Sequence, residues 1–149
     1  MAVYELGVRT PAAAAGAAYA DLRTGANERL LLLEVGFFTT AATSTSVGIV
    51  RPLTIGTAST TQAPVNTDSA GPASNSLVGT VWSAAPTIAG TPAYSRRLTT
   101  SANIGAGFVL QWSRANATII PVSSSLLFWN FGGAAGAACD AYFVVEEVR

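Results

Sequence analysis

Glu28-Arg29-Leu30-Leu31-Leu32-Leu33-Glu34-Val35-Gly36-Phe37-Phe38-Thr39 is the stretch that decides the fold of this 149-residue chain. It reads as the strongest strand of the sequence. Side chains alternate across a strand, so one face carries Leu31, Leu33, Val35 and Phe37, a core face, and the other carries Leu30, Leu32, Glu34, Gly36 and Phe38. An isolated sandwich places polar residues on that second face. Leu30, Leu32 and Phe38 are therefore expected to form an intersubunit contact, because burying each large apolar side chain contributes roughly 1.5–3 kcal/mol that exposure to water forgoes. The competing account is that the Ala-rich stretch from Pro11 to Ala20 folds back over this face within one chain.

Outward from this strand, the same alternation of apolar runs and breakers continues. Val3 to Val8, Ser46 to Ile55, Leu77 to Trp82, Tyr94 to Thr99, Phe108 to Ser113, Leu126 to Phe131 and Ala141 to Val148 read as further strands. Gly25, Gly56, Pro64, Gly71-Pro72, Pro86, Gly90, Pro92, Gly105, Pro121 and Gly132-Gly133 punctuate them. The pattern predicts one all-β domain over residues 1–149, a jelly-roll-like antiparallel β-sandwich of about eight strands. Pro11 to Leu22 reads either as a short helix or, over Ala17 to Leu22, as a strand. Leu127, Trp129 and Phe131 share one face of a later strand while Leu126 and Phe128 occupy the other, so that strand too needs cover on both sides. Phe108, Leu110 and Trp112 alternate with Val109, Gln111 and Ser113 in the ordinary buried-in, polar-out manner. Residues 56–76 form a long Ser/Thr/Ala/Pro-rich loop, too poor in apolar side chains to fold alone. It is expected to lie over another subunit or the domain's own flank, held by backbone hydrogen bonds.

The chain contains no histidine and no lysine; its eight cations are all arginines, balanced by eight carboxylates. Imidazole-dependent nucleophiles, Schiff-base chemistry, the common zinc and non-haem iron sites and the Walker phosphate loop all require residues that are missing. No enzymatic activity, cofactor or metal is expected. Charged residues are 11% of the chain against a usual figure of about 25%. With zero net charge, so few charges protect a free monomer poorly against association. Coverage of the exterior by other subunits is expected. The basic footprint of a nucleic-acid binder is reduced to Arg96-Arg97, which argues against DNA or RNA as a partner. Cys139 is single and reads as a small buried hydrophobe. The first residues carry no secretory pattern, so synthesis in a cytoplasm is expected. The uncharged stretch from Ala115 to Cys139 is broken by Pro121, Asn130 and Gly132-Gly133 and does not read as a membrane span.

Among clusters with chemical potential, Glu146 and Glu147 are adjacent on a strand and point to opposite faces. Asp21, Glu28 and Glu34 are scattered. Asp68 and Asp140 with loop carbonyls lack the acidic density of a calcium motif. Gly132-Gly133-Ala134-Ala135-Gly136 precedes a strand and reads as a turn in place of a phosphate cradle. Trp112 and Trp129 read as packing residues; Trp82, if exposed beside a groove, favours sugar stacking.

Ile119-Ile120-Pro121-Val122-Ser123-Ser124-Ser125-Leu126-Leu127-Phe128-Trp129-Asn130, a Gly/Ala turn, and Ala141-Tyr142-Phe143-Val144-Val145-Glu146-Glu147 resemble the closing strands of small jelly-roll virion proteins of tailed bacteriophages, the capsid decoration or cement type. Leu30 to Phe38 with Val47 to Pro52 fits the same plan upstream. The resemblance is one of strand plan and transfers no functional residue. It implies a non-enzymatic subunit on the capsid surface that self-associates, with a trimer favoured, and reinforces the head shell. Its partners would be the major capsid protein or other virion subunits. Alternatives are a tail or fibre component and a carbohydrate-binding receptor-recognition module. Cupins share the strand rhythm, but their metal site uses histidines, and this chain has none.

Overall fold

Strands carry most of the described residues, 2–148, of the computed structural model. They are β1 (Ala2–Thr10), β2 (Ala18–Arg23), β3 (Arg29–Thr39), β4 (Ser46–Val50), β5 (Thr57–Gln62), β6 (Val65–Asn66), β7 (Leu77–Ala84), β8 (Tyr94–Thr99), β9 (Gly107–Gln111), β10 (Thr118–Ile120), β11 (Ser125–Asn130) and β12 (Cys139–Val148). A 3-10 turn at Arg114–Asn116 separates β9 from β10.

The strands form two antiparallel sheets. The first runs β10-β3-β12-β1-β6, with β9 also paired to β3; the second runs β5-β7-β2-β11-β4-β8. Pairing is nested: β1 with β12, β2 with β11, β3 with β9 and β10, β4 with β8. The two halves of the chain thus make one antiparallel ribbon, rolled so that β1 to β4 alternate between the sheets, as do β8, the β9–β10 pair, β11 and β12, while β5 and β7 extend the second sheet and β6 edges the first. That is a jelly-roll β-sandwich. Its core joins the inward faces of both sheets around Phe37, Phe128 and Phe143, whose ring centroids lie 4.9–6.3 Å apart.

Of the two readings of Pro11 to Leu22, the strand is the one adopted. Ala20 and Ala18 of β2 lie opposite Phe128 and Trp129 of β11, where small side chains leave room for the large ones. The apolar run from Ser46 stops pairing at Val50, since Pro52 lacks the N–H that a ladder needs. Residues 56–76 are a loop only in part, which corrects the sequence expectation. β5 pairs with β7 at the edge of the second sheet and β6 with β1 at the edge of the first. The Thr-rich composition of β5 suits a strand even where its side chains are exposed.

The largest departure lies inside β3. Val144 of β12 pairs with Glu34, and the next residue, Val145, pairs with Leu32. Leu33 is therefore an extra residue, a β-bulge that reverses the alternation. Leu30 and Leu32 point into the core with Val35 and Phe37, and both leucines are 0% exposed within the single chain. Leu31 and Leu33 turn outward and are half-buried. Leu30 and Leu32 are thus core residues, which corrects their assignment to an outward contact; Phe38 remains outward and half-buried.

Replacing Leu32 with Ala is expected to cost about 2–5 kcal/mol, the range for a truncated buried leucine, and Leu31→Ala only about 1 kcal/mol or less. Urea unfolding at constant slope measures both. Equal costs would place the bulge elsewhere.

Candidate functional site

The outward faces of the two sheets are built differently. On the second sheet, Val50, Leu127 and Trp129 form a second apolar cluster, and Ile88, Tyr94 and Phe131 pack on it. Ile88 belongs to a connection, residues 85–93, that lies over this face and is tied to residues 51–56. Leu53 N–H and Thr54 N–H donate to Thr87 O at 2.7 and 3.4 Å, and Thr87 N–H returns to Thr54 O at 3.1 Å. Toward β7, fully buried Asp21 accepts from Arg23 Nε at 2.6 Å, Gly79 N–H at 3.0 Å and the Trp82 indole N–H at 3.4 Å. Burial raises the Asp21 carboxyl above its ordinary value, against the opposing pull of Arg23, Trp82 and Gly79. Arg23 also donates to Ile55 O and Gly56 O, tying the 51–56 segment, to which the strap of residues 85–93 is bonded, to the sheet. Trp82 is therefore half-buried and engaged with Asp21.

Among the described residues, no comparable strap crosses the first sheet. Register places Val3, Glu5, Gly7 and Arg9 of β1 outward beside Glu146, Val144, Tyr142 and Asp140 of β12. Beyond them come Leu31, Glu34, Gly36 and Phe38 of β3, then Val109 of β9 and Ile119 of β10. Two rings pack closely against glycines. A Cβ on Gly36 would fall 2.2 Å from the Tyr142 ring, and one on Gly107 would fall 2.5 Å from the Phe38 ring. Val109, Ile119 and Val65 are 45%, 49% and 65% exposed on this side. Shallow grooves of about 410 and 360 Å³ flank Tyr142 and meet at Gly7.

Most charges on this face are matched within it. Arg9 binds Asp140 through two hydrogen bonds of 2.7 and 2.8 Å. Arg114 reaches across β3 to buried Glu146, with Nε 2.9 Å from Oε2. Glu34 accepts from the Tyr142 hydroxyl and from Gln111 Nε2 at 2.6 Å, and these donors hold its carboxyl below the ordinary value. Glu5 and Arg29 are the exceptions: both are exposed, and neither makes a hydrogen bond or ion pair among the described residues.

The remaining carboxylates serve the fold. Glu28 accepts from Gly25 N–H, and Asp68 from Ala70 N–H at 3.0 Å. Glu147 is buried and points to the opposite side from Glu146, as the strand reading requires. It accepts from the Ser74 hydroxyl, Asn75 N–H at 3.0 Å, and Ser76 N–H and Oγ, both at 3.2 Å. Burial pushes its carboxyl up, but these donors outweigh burial and hold it below its ordinary value. No three His, Cys, Asp or Glu side chains converge as a metal site among the described residues. Cys139 is buried, which lifts its thiol to about 11. No described helix is long and apolar enough to cross a membrane. Comparison with protein-family models, with curated proteins and with solved structures finds no match to this chain.

Sequence reasoning found Phe38 of the outward face but assigned Leu30 and Leu32 in place of Leu31 and Leu33. It also read Val109 as part of an ordinary solvent side and passed over Glu5, Arg29 and Ile119. Val109 and Ile119 carried a usable signal, since each is a β-branched residue one position out of phase with a core residue, Leu110 and Ile120 respectively.

Because the folded value of Glu147 lies below its unfolded value near 4.5, its contribution to stability is present above that pH. It is lost as pH falls through the depressed folded value. Glu147→Gln is expected to lower the melting temperature at pH 7 and to flatten its fall between about pH 5 and 3. Thermal melts across that range check this, and an unchanged acid limb would contradict it.

Proposed function

We propose that this chain is a non-enzymatic structural subunit of a virion shell, a capsid decoration or cement protein that associates through the outward face of its first sheet. The observation that carries the reading is the contrast between the two outward faces. One is roofed by the chain's own strap, while the other presents Leu31, Leu33, Phe38, Val109 and Ile119 with its charges largely paired. A monomer has no use for a bare apolar sheet face, and covering Val109 and Ile119 alone would recover roughly 1–2 kcal/mol each, given their half-exposure. The jelly-roll plan and the scarcity of charge fit a subunit surrounded by other protein on the capsid surface. Among the described residues, seven of the eight side-chain carboxylates accept hydrogen bonds, most of them bracing turns or strand rows, as expected of a rigid building block.

A second reading, recognition of carbohydrate by a tail, fibre or receptor-binding component, is favoured by one groove. It measures about 550 Å³ and is lined by Tyr94, Arg97, Trp129 and Phe131. Arg97 stacks 4.1 Å above the Phe131 ring with no hydrogen bond or ion pair among the described residues. Phe131 thus already carries a cation, and Trp129 is only 8% exposed, which leaves little free ring surface for a sugar.

Mass spectrometry of purified virus particles from cells that produce the chain is expected to find it in fixed ratio to the shell protein. Particles lacking it are expected to release their DNA at a lower temperature. Recovery of the chain only in the particle-free supernatant would overturn the proposal, and glycan-array binding abolished by Arg97→Ala would favour the second reading.

A further inference from the structure

The bare face carries a pair of unmatched charges that specifies its occupant. Glu5 sits on β1 beside the exposed Val65 of β6, in the row that runs through Val144 to Glu34. Arg29 opens β3, in the row of Val148. Both belong to the same outward face, and they lie two strands and four rows apart, on the order of 16 Å at ordinary strand spacings. Every other charge described on this face has a partner within it: Arg9 with Asp140, Arg114 with Glu146, and Glu34 with Tyr142 and Gln111.

We infer that the occupant of this face is a second copy of the chain, packed face to face about a two-fold axis, with Glu5 of each copy meeting Arg29 of the other. The inference rests on the reading of the chain as a self-associating subunit, names the contact, and puts a two-fold dimer in place of the trimer that the resemblance favours. Three features support a copy over an unrelated partner. A two-fold contact brings residue i of one copy to residue j of the other and j to i, so one free anion and one free cation on a single face satisfy each other twice. Charges already paired within the face do not enter the interface as isolated ions, which is the costly case. The area is also sufficient. Four to five strands at about 4.8 Å spacing and about 33 Å length give roughly 600–800 Å² per copy, close to the roughly 800 Å² per partner of a stable interface. Val109, Ile119 and Phe38 supply the apolar contact, and the shallow grooves beside Tyr142 supply recesses for it.

The test is a charge exchange on the full-length chain, read by sedimentation equilibrium over a concentration series, with circular dichroism to confirm the fold. The native chain is expected to be a dimer. Glu5→Arg and Arg29→Glu, each of which sets like charges against each other twice, are expected to weaken dimerisation at least about tenfold. The double variant is expected to return to within about threefold of the native value, a rescue that a merely structural role would not give. Val109→Asp is expected to yield a folded monomer. A native chain that is monomeric or trimeric, single variants that dimerise normally, or a double variant that fails to recover would each overturn the inference. The outcome is separable from that of the shell reading. A chain that joins virus particles yet stays monomeric in isolation defeats the contact alone, and a charge-exchangeable dimer that never joins particles defeats the shell role alone.

Discussion

The ladder between β3 and β12, with Leu33 inserted as its extra residue, is the constraint on which the rest of the sandwich depends. β3 lies inside the first sheet, with β12 along one side and β9 and β10 sharing the other. An eleven-residue strand kept in strict alternation would send its two halves' large apolar side chains to opposite faces. The bulge shifts the phase once, so that Leu30 and Leu32 before it and Val35 and Phe37 after it all reach one core. The added local twist of a bulge also helps such a long strand follow the curvature of the rolled ribbon. The partners of β3 inherit this register. Phe143 and Val145 of β12, Leu110 and Phe108 of β9, and Ile120 of β10 meet the core because β3 tells them which side is in.

Packing then divides labour between the sheets. The second sheet buries apolar side chains on both faces at β4 and β11, while Leu77 and Val81 of β7 stay exposed, and the strap over β4 and β11 is anchored by the Thr54–Thr87 bridge. Asp21 is fully buried, so removing any of its donors on β2 or β7 leaves a desolvated carboxylate, and that penalty holds the two strands' side chains in place. The first sheet has only short strands and a 3-10 turn around its rim, and its outward side is finished by rings packed against Gly36 and Gly107. Surface ion pairs such as Arg9–Asp140, with side chains 67% and 55% exposed, contribute little to folding. What they do provide is a face whose charges are neutralised locally, and such a face loses less on desolvation when another protein covers it.

Buried polar groups elsewhere follow the same economy. Asn130, 1% exposed, donates to Ala13 O, Ala14 O and Ala134 O and accepts from Gly132 N–H, so one side chain closes two neighbouring turns at one end of the sandwich. Glu147 does the equivalent at the other end of β12, gathering the turn at Ser74–Ser76 that feeds β7. In both cases a strand residue stands in for backbone partners that an irregular segment lacks.

The sequence by itself determined the all-β class, the eight strands with strong apolar runs, the two-sided burial of β11 and the opposite directions of Glu146 and Glu147. These follow from local rules, a period of two along a strand and the turn chemistry of glycine and proline. It also supplied no histidine or lysine from which imidazole- or amine-dependent chemistry could be built within these residues. Only the tertiary structure decided the rest. The edge strands β5, β6 and β10 owe their identity to the ladders they join, since Thr57–Gln62 and Val65–Asn66 have no apolar pattern of their own. The choice between Leu30 and Leu31 as core residues rests on which residue of β12 each one meets. A bulge is a property of a pair of strands, and neither strand's sequence contains it alone.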